Sequence, residues 1–149
     1  MSTWWLVDQS RASRGSTTLE FAVLAPGLLL LIGVVIVAGR LTLAQGAVEV
    51  AARNGARQAS IARSATDART QAEAMVTSMI TQQGLGCSPS RVAVDTAGFE
   101  VPVGEPAQVS VTVSCTVALS DVGLPMAPGS KELTASFSEP LDSFRSRTG

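Results

Sequence analysis

Few residues in this chain can do chemistry. Among its 149 residues there is no histidine and no tyrosine, which removes the side chain most used as a general base and metal ligand near neutral pH. The single lysine, Lys131, lies in a turn-like Pro-Gly-Ser-Lys-Glu segment, and the carboxylates are scattered without a recognisable pair. Cys87 and Cys115 are too far apart for a Cys-x-x-Cys redox motif and too few for a zinc site. No catalytic, cofactor or metal residue is assigned, and an enzyme is disfavoured. The net charge of −1 and the absence of a dense basic patch leave no electrostatic footprint for nucleic acid. One carboxylate stands out by its place. Glu20 sits at the mouth of an apolar run, Phe21 to Gly39, behind the order Arg11, Arg14, Gly15, Ser16. An ionised group at a bilayer centre costs about 2.5–3.5 kcal/mol and less near the interface, so a glutamate at this edge needs a reason.

The elements that position these residues follow from the hydropathy pattern. Phe21–Gly39 holds about nineteen uncharged residues closed by Arg40, long enough as a helix to cross roughly 30 Å of hydrocarbon. A buried core helix and a secretory signal cut near Ala44-Gln45-Gly46 are the lesser readings, because the run is long and uniform and is touched by Glu20. Residues 1–15, with Trp4 and Trp5, read as a leader. Residues 16–40 read as the transmembrane helix, with Thr17 or Thr18 as its cap and Pro26 as a kink rather than a break. Gly27, Gly33, Ala38 and Gly39 are small enough to let helices approach closely.

Residues 41–83 read as a helical segment beyond the span, extracytoplasmic only if the N-terminus is cytoplasmic. Leu41, Ala44, Val48, Ala51, Gly55, Ala59 and Ala62 recur at steps of three and four, with Arg53 and Arg57 off that seam. The seam fits equally a face packed on the chain's own domain and a face for neighbouring subunits. Ser64 to Asp67 reads as a break and a new cap, followed by a helix with Ala68, Ala72, Met75, Met79 and Ile80 on one face, ended by Gly84 and Gly86. Residues 84–140 read as a small antiparallel sheet of three to four strands. The strands are Arg91–Asp95, Phe99–Val103, Val109 to Leu119 with strict apolar/hydroxyl alternation, and Glu132–Ser138. Pro125, Pro128 and Gly129 mark a loop, and residues 141–149 read as a tail. The fold class is α+β. About sixty residues bury little core on their own.

Gly15-Ser-Thr-Thr-Leu-Glu20-Phe21 is similar to the cleavage region of type IV prepilins. Glu20-Phe-Ala-Val-Leu-Ala-Pro26, the apolar run, Gly39-Arg40, Arg53-Asn-Gly-Ala-Arg57 and the closing strands resemble the TadE-like family of minor pilins or pseudopilins in tight-adherence (Flp) pilus systems. The resemblance implies cutting between Gly15 and Ser16 by a prepilin peptidase. It also implies assembly through Glu20 and Phe21 with other pilins or pseudopilins and the assembly platform, and a single-pass location in membrane lipid with the N-terminus cytoplasmic. Glu20 would then meet the new Ser16 amine of its own or another chain; the plainer role is to complement the helix dipole. With the domain outside, Cys87 and Cys115 are expected to pair, the alternative being two buried thiols packed as small hydrophobes. The runner-up function is a signal-anchored extracytoplasmic binding module without a pilus role. A reporter that works only outside the membrane, fused after Gly149, is expected to be active; a consistently cytoplasmic signal would overturn this orientation.

Overall fold

The computed structural model describes residues 13–87, 90–121, 128–144 and 146, with side chains from Phe21 onward. The leader residues 1–12 and the Pro125 loop, residues 122–127, lie outside the described residues. The chain divides into two units, Met1–Ala38 and Gly39–Gly149. Helix α1, Ser13–Ser60, contributes to both and contains Pro26. It begins ahead of Thr17 and Thr18, at Ser13, so neither threonine is its cap.

In the first unit every described side chain from Phe21 to Ile36 is exposed. In the second unit the pattern changes to one face. Ala44, Ala47, Val48, Ala51, Ala52, Gly55, Ala56 and Ala59 are buried, while Glu49, Arg53 and Arg57 face water. The small-residue seam therefore packs on the chain's own domain, which decides between the two uses open to it. It is also wider than the spacing implied, because Ala47, Ala52 and Ala56 join it.

Helix α2, Ala65–Gln82, starts where the Ser64 hydroxyl accepts a hydrogen bond from the Asp67 amide at 3.1 Å, and Asp67 complements the positive helix end. It stops before Gly84, whose φ of 63° lies in the left-handed region. Its core face is Ala68, Ala72, Val76 and Ile80. The expected Met75 and Met79 are only half-buried; the strict four-residue step from Ala68 puts Val76 at the centre instead.

The sheet is a meander of three strands in the order β1-β2-β3, with β1 at Ser90–Asp95, β2 at Gln108–Ala118 and β3 at Ser130–Pro140. Both pairings are antiparallel, with Val92 opposite Val113 and Cys115 opposite Leu133. One face carries Val109, Val111, Val113, Cys115, Val117, Leu133 and Ala135, all buried. The other carries hydroxyls, with Thr112 to Ser136 at 2.9 Å and Ser114 to Thr134 at 3.3 Å across the strands. The expected strand at Phe99–Val103 is instead a 3-10 turn, Ala97–Glu100. That turn sets Phe99 into the core, and a Cβ at Gly98 would overlap the Gln108 carbonyl oxygen. Nor does the tail begin at residue 141. Leu141 is 5% exposed, and its amide donates to the Ala107 carbonyl at 2.8 Å, continuing the β2–β3 ladder.

At Gly55 the layers leave no room for a side chain. A Cβ there would lie 2.7 Å from Val76 Cγ2 and 3.3 Å from Val111 Cγ1, whereas one at Gly46 would meet nothing within 4 Å. Alanine gains about 1 kcal/mol of helix propensity at either site, and overpacking costs about 1–3 kcal/mol only at Gly55. Gly46→Ala is expected to raise the denaturation midpoint of the full chain in detergent and Gly55→Ala to lower it, with Gly55→Val lower still. Equal responses at the two glycines would contradict the packing described.

Candidate functional site

Three places in the structure could carry function, and the residues singled out by sequence account for two of them. Gly15, Ser16 and Glu20 all lie in the first turns of α1. Their backbone is helical, with Gly15 in the opening turn, and their side chains are outside the described residues. Phe21 follows, 70% exposed, and Pro26 lies inside the same helix. A stretch of exposed Leu, Val and Ile this long is far larger than the apolar patch a soluble surface carries. Among the described residues one helix is long and apolar enough to cross a membrane, and its most apolar window has no buried residue. It suits the role of a membrane anchor.

The second place is a disulfide. Cys87 and Cys115 are bonded, with their Cα atoms 5.1 Å apart and a separation of 28 positions in sequence. Cys115 is fully buried on the core face of β2, and half-buried Cys87 ends the connection from α2. The bond fastens that connection to the central strand, next to the Ser90 and Cys115 pairing that opens the β1–β2 ladder.

The third place was not legible in the sequence. Glu49, Val50 and Arg53 of α1 and Ala135, Ser136 and Phe137 of β3 line an open groove of about 410 Å³. The Arg53 guanidinium stands 5.4 Å from the centroid of the Phe137 ring, a cation–π contact that holds the charge at the rim. Two turns before Arg53, Gln45 Nε2 donates to Glu49 Oε1 at 3.3 Å and to the Thr134 carbonyl at 3.2 Å. Arg53 was visible as a residue off the seam, and Phe137 as part of the last strand. Only the fold brings them together across more than eighty positions. The groove offers one anionic and one cationic rim group, an apolar floor and a strand edge. These groups can bind and orient a segment of chain. Among the described residues no three His, Cys, Asp or Glu side chains gather to hold a metal ion.

Residues 15–57 match the family model described as TadE-like protein. The match takes in Gly15 to Glu20, the apolar stretch and the seam as far as Arg57, while α2 and the whole sheet lie outside it. No match was found among curated proteins or solved structures. The TadE-like match and the apolar helix together are consistent with a pilus-associated component.

Losing the disulfide is expected to cost about 3.5 kcal/mol for a loop of this length in the chain-entropy treatment. Cys115→Ser should be worse than Cys87→Ser, because it also puts a hydroxyl where the core is apolar, at about 1–3 kcal/mol if unsatisfied. Denaturant unfolding of the full chain, with and without reductant, checks both. Equal losses in the two variants would contradict the burial difference, and two free thiols in denatured, unreduced protein would exclude the bond.

Proposed function

We propose that this chain, TadE-like over residues 15–57, is a structural minor pilin or pseudopilin-like subunit of a pilus-assembly or secretion system. It acts without catalysing a reaction, is anchored by α1, and is cut by a prepilin peptidase between Gly15 and Ser16. The observation that carries this reading is the coincidence of the family match with a helix whose lipid-length apolar part is exposed on all sides. Its N-terminus faces the cytoplasm and the Gly39–Gly149 unit lies outside, where an oxidising medium suits the Cys87–Cys115 bond. Its partners are the peptidase, other pilins or pseudopilins, the assembly platform and membrane lipid.

The local physics of the front end supports the processing step. The Gly15–Ser16 bond lies within the opening turn of α1. A helix end frays readily, since its first amides lack partners within the helix. Glycine lowers the cost of unwinding by about 1 kcal/mol relative to alanine and presents no side chain. Arg11 and Arg14 suit the anionic cytoplasmic surface, at about 1 kcal/mol each. Cutting there creates a positive amine at the positive end of the helix dipole, an unfavourable placement. Glu20 lies one helical turn on from Ser16, the spacing at which opposite charges on a helix meet. Pairing on the same chain or a neighbour's offsets both the dipole repulsion and the cost of a carboxylate at the bilayer edge.

Mass analysis of the native N-terminus in cells that express the peptidase is expected to find Ser16 first. Gly15→Val should retain the leader, and Glu20→Gln should be cut while failing to assemble. An intact Met1, or a start at Ala47, would discard the pilin-like reading and promote a signal-anchored binding module.

A further inference from the structure

The two outer strands of the sheet are matched to each other. Leu141 N–H to the Ala107 carbonyl and Leu119 N–H to the Gly129 carbonyl extend the β2–β3 ladder beyond both of its ends. Backbone groups alternate sides along a strand. The odd-numbered residues of β3 therefore bond to β2, and Glu132, Thr134 and Ser136 turn theirs outward. Gln45, reaching the Thr134 carbonyl from outside the sheet, agrees with this assignment. The same alternation carried across β2 by the pairs Arg91–Ser114, Ala93–Thr112 and Asp95–Ser110 leaves Val92 and Val94 of β1 turning theirs outward at the opposite edge.

We propose that the β3 edge, with the groove beside it, receives the β1 edge of a second copy of this chain, strand parallel to strand. In a meander β1 and β3 run the same way, so copies side by side in one orientation present β3 to a parallel β1. With Arg91 of one copy opposite Glu132 of the next, Ala93 falls opposite Thr134 and Asp95 opposite Ser136. In this register the outward backbone groups of both edges interdigitate, as parallel pairing requires. Arg91 and Glu132 are both exposed and lie on the hydroxyl face, so opposite charges meet. On the other face the half-buried Val92 and Val94 meet Leu133 and Ala135 and extend the groove floor. Gln45 exchanges its bond to Thr134 for the incoming strand.

The direction of α1 selects this arrangement over a two-fold pairing of β3 with itself. Gln45 lies at Thr134, and Arg53, two turns later, lies at Phe137, so this part of α1 runs in the direction of β3. An antiparallel β3–β3 pair, which would set Lys131 against Glu139, puts the Gly39 ends of the two copies on opposite sides. Chains anchored in one bilayer need those ends on the same side, and a head-to-tail contact provides that while leaving each copy a free edge for the next. The proposal rests on the membrane-anchored subunit reading above.

The test uses the full chain in native membranes under mild oxidation. Ala93 and Thr134 are exposed, and directly opposed strand residues lie within disulfide reach. An Ala93→Cys, Thr134→Cys double variant is expected to give a ladder of dimers, trimers and larger species linked 93 to 134, with the Cys87–Cys115 bond intact by peptide mapping. Adding Arg91→Glu should cut the yield about tenfold, and further adding Glu132→Arg should restore it. Dimers alone from co-expressed Thr134→Cys and Ser136→Cys chains would establish the two-fold pairing and overturn the proposal, as would correctly folded protein with no 93–134 link. A ladder from chains that retain Met1 would sustain the contact while removing the processing reading; processed chains without the link would do the reverse.

Discussion

The close approach of α1 to the sheet at Gly55 is the constraint on which the second unit depends. Val76 from α2 and Val111 from β2 press into the space a side chain at residue 55 would fill. A helix can come this near only if its facing residues are small, and Ala51, Ala52, Ala56 and Ala59 supply that flat surface. The opposing layer then supplies the bulk. Val109, Val111, Val113 and Cys115 are fully buried on one face of the central strand, each valine worth about 1.5–3 kcal/mol when removed from water. A core of alanines and valines is thin for its number of residues, and the Cys87–Cys115 bond adds a restraint by tying the connection between α2 and β1 to β2.

One helical sequence is written for two surroundings. From Phe21 to Ile36 the side chains are apolar on every face and exposed on every face, a pattern suited to a membrane anchor. From Ala44 onward the apolar residues collect on one side, become small, and share the helix with Glu49, Arg53 and Arg57. The first pattern depends on length, because a bilayer has a thickness. The second depends on angle and size, because a sheet has a position. The groove lies where the charged flank of this second part passes β3. There Arg53 stands over Phe137 and Gln45 reaches the Thr134 carbonyl, so the helix lies beside the sheet edge and shapes what can reach it.

How much of this was written in the chain depends on the range of the interaction. Local and periodic features were legible: the apolar run behind Glu20, the Ser64 cap, the alternation from Val109 to Leu119, and the seam through Ala44, Val48, Ala51, Gly55 and Ala59. Their causes lie within a few residues of one another, in helical pitch, strand pleat and capping geometry. Features set by packing were not. Val76 over Met75, the 3-10 turn at Phe99 in place of a strand, and the burial of Leu141 all follow from what stands opposite them. The order β1-β2-β3, the burial of the α1 seam in its own domain and the meeting of Arg53 with Phe137 join segments far apart in sequence. The sequence by itself determined where a helix could face lipid and where a strand would alternate. Only the tertiary structure decided what the seam faces, because a stripe of small residues specifies how close a neighbour comes and not which neighbour it is.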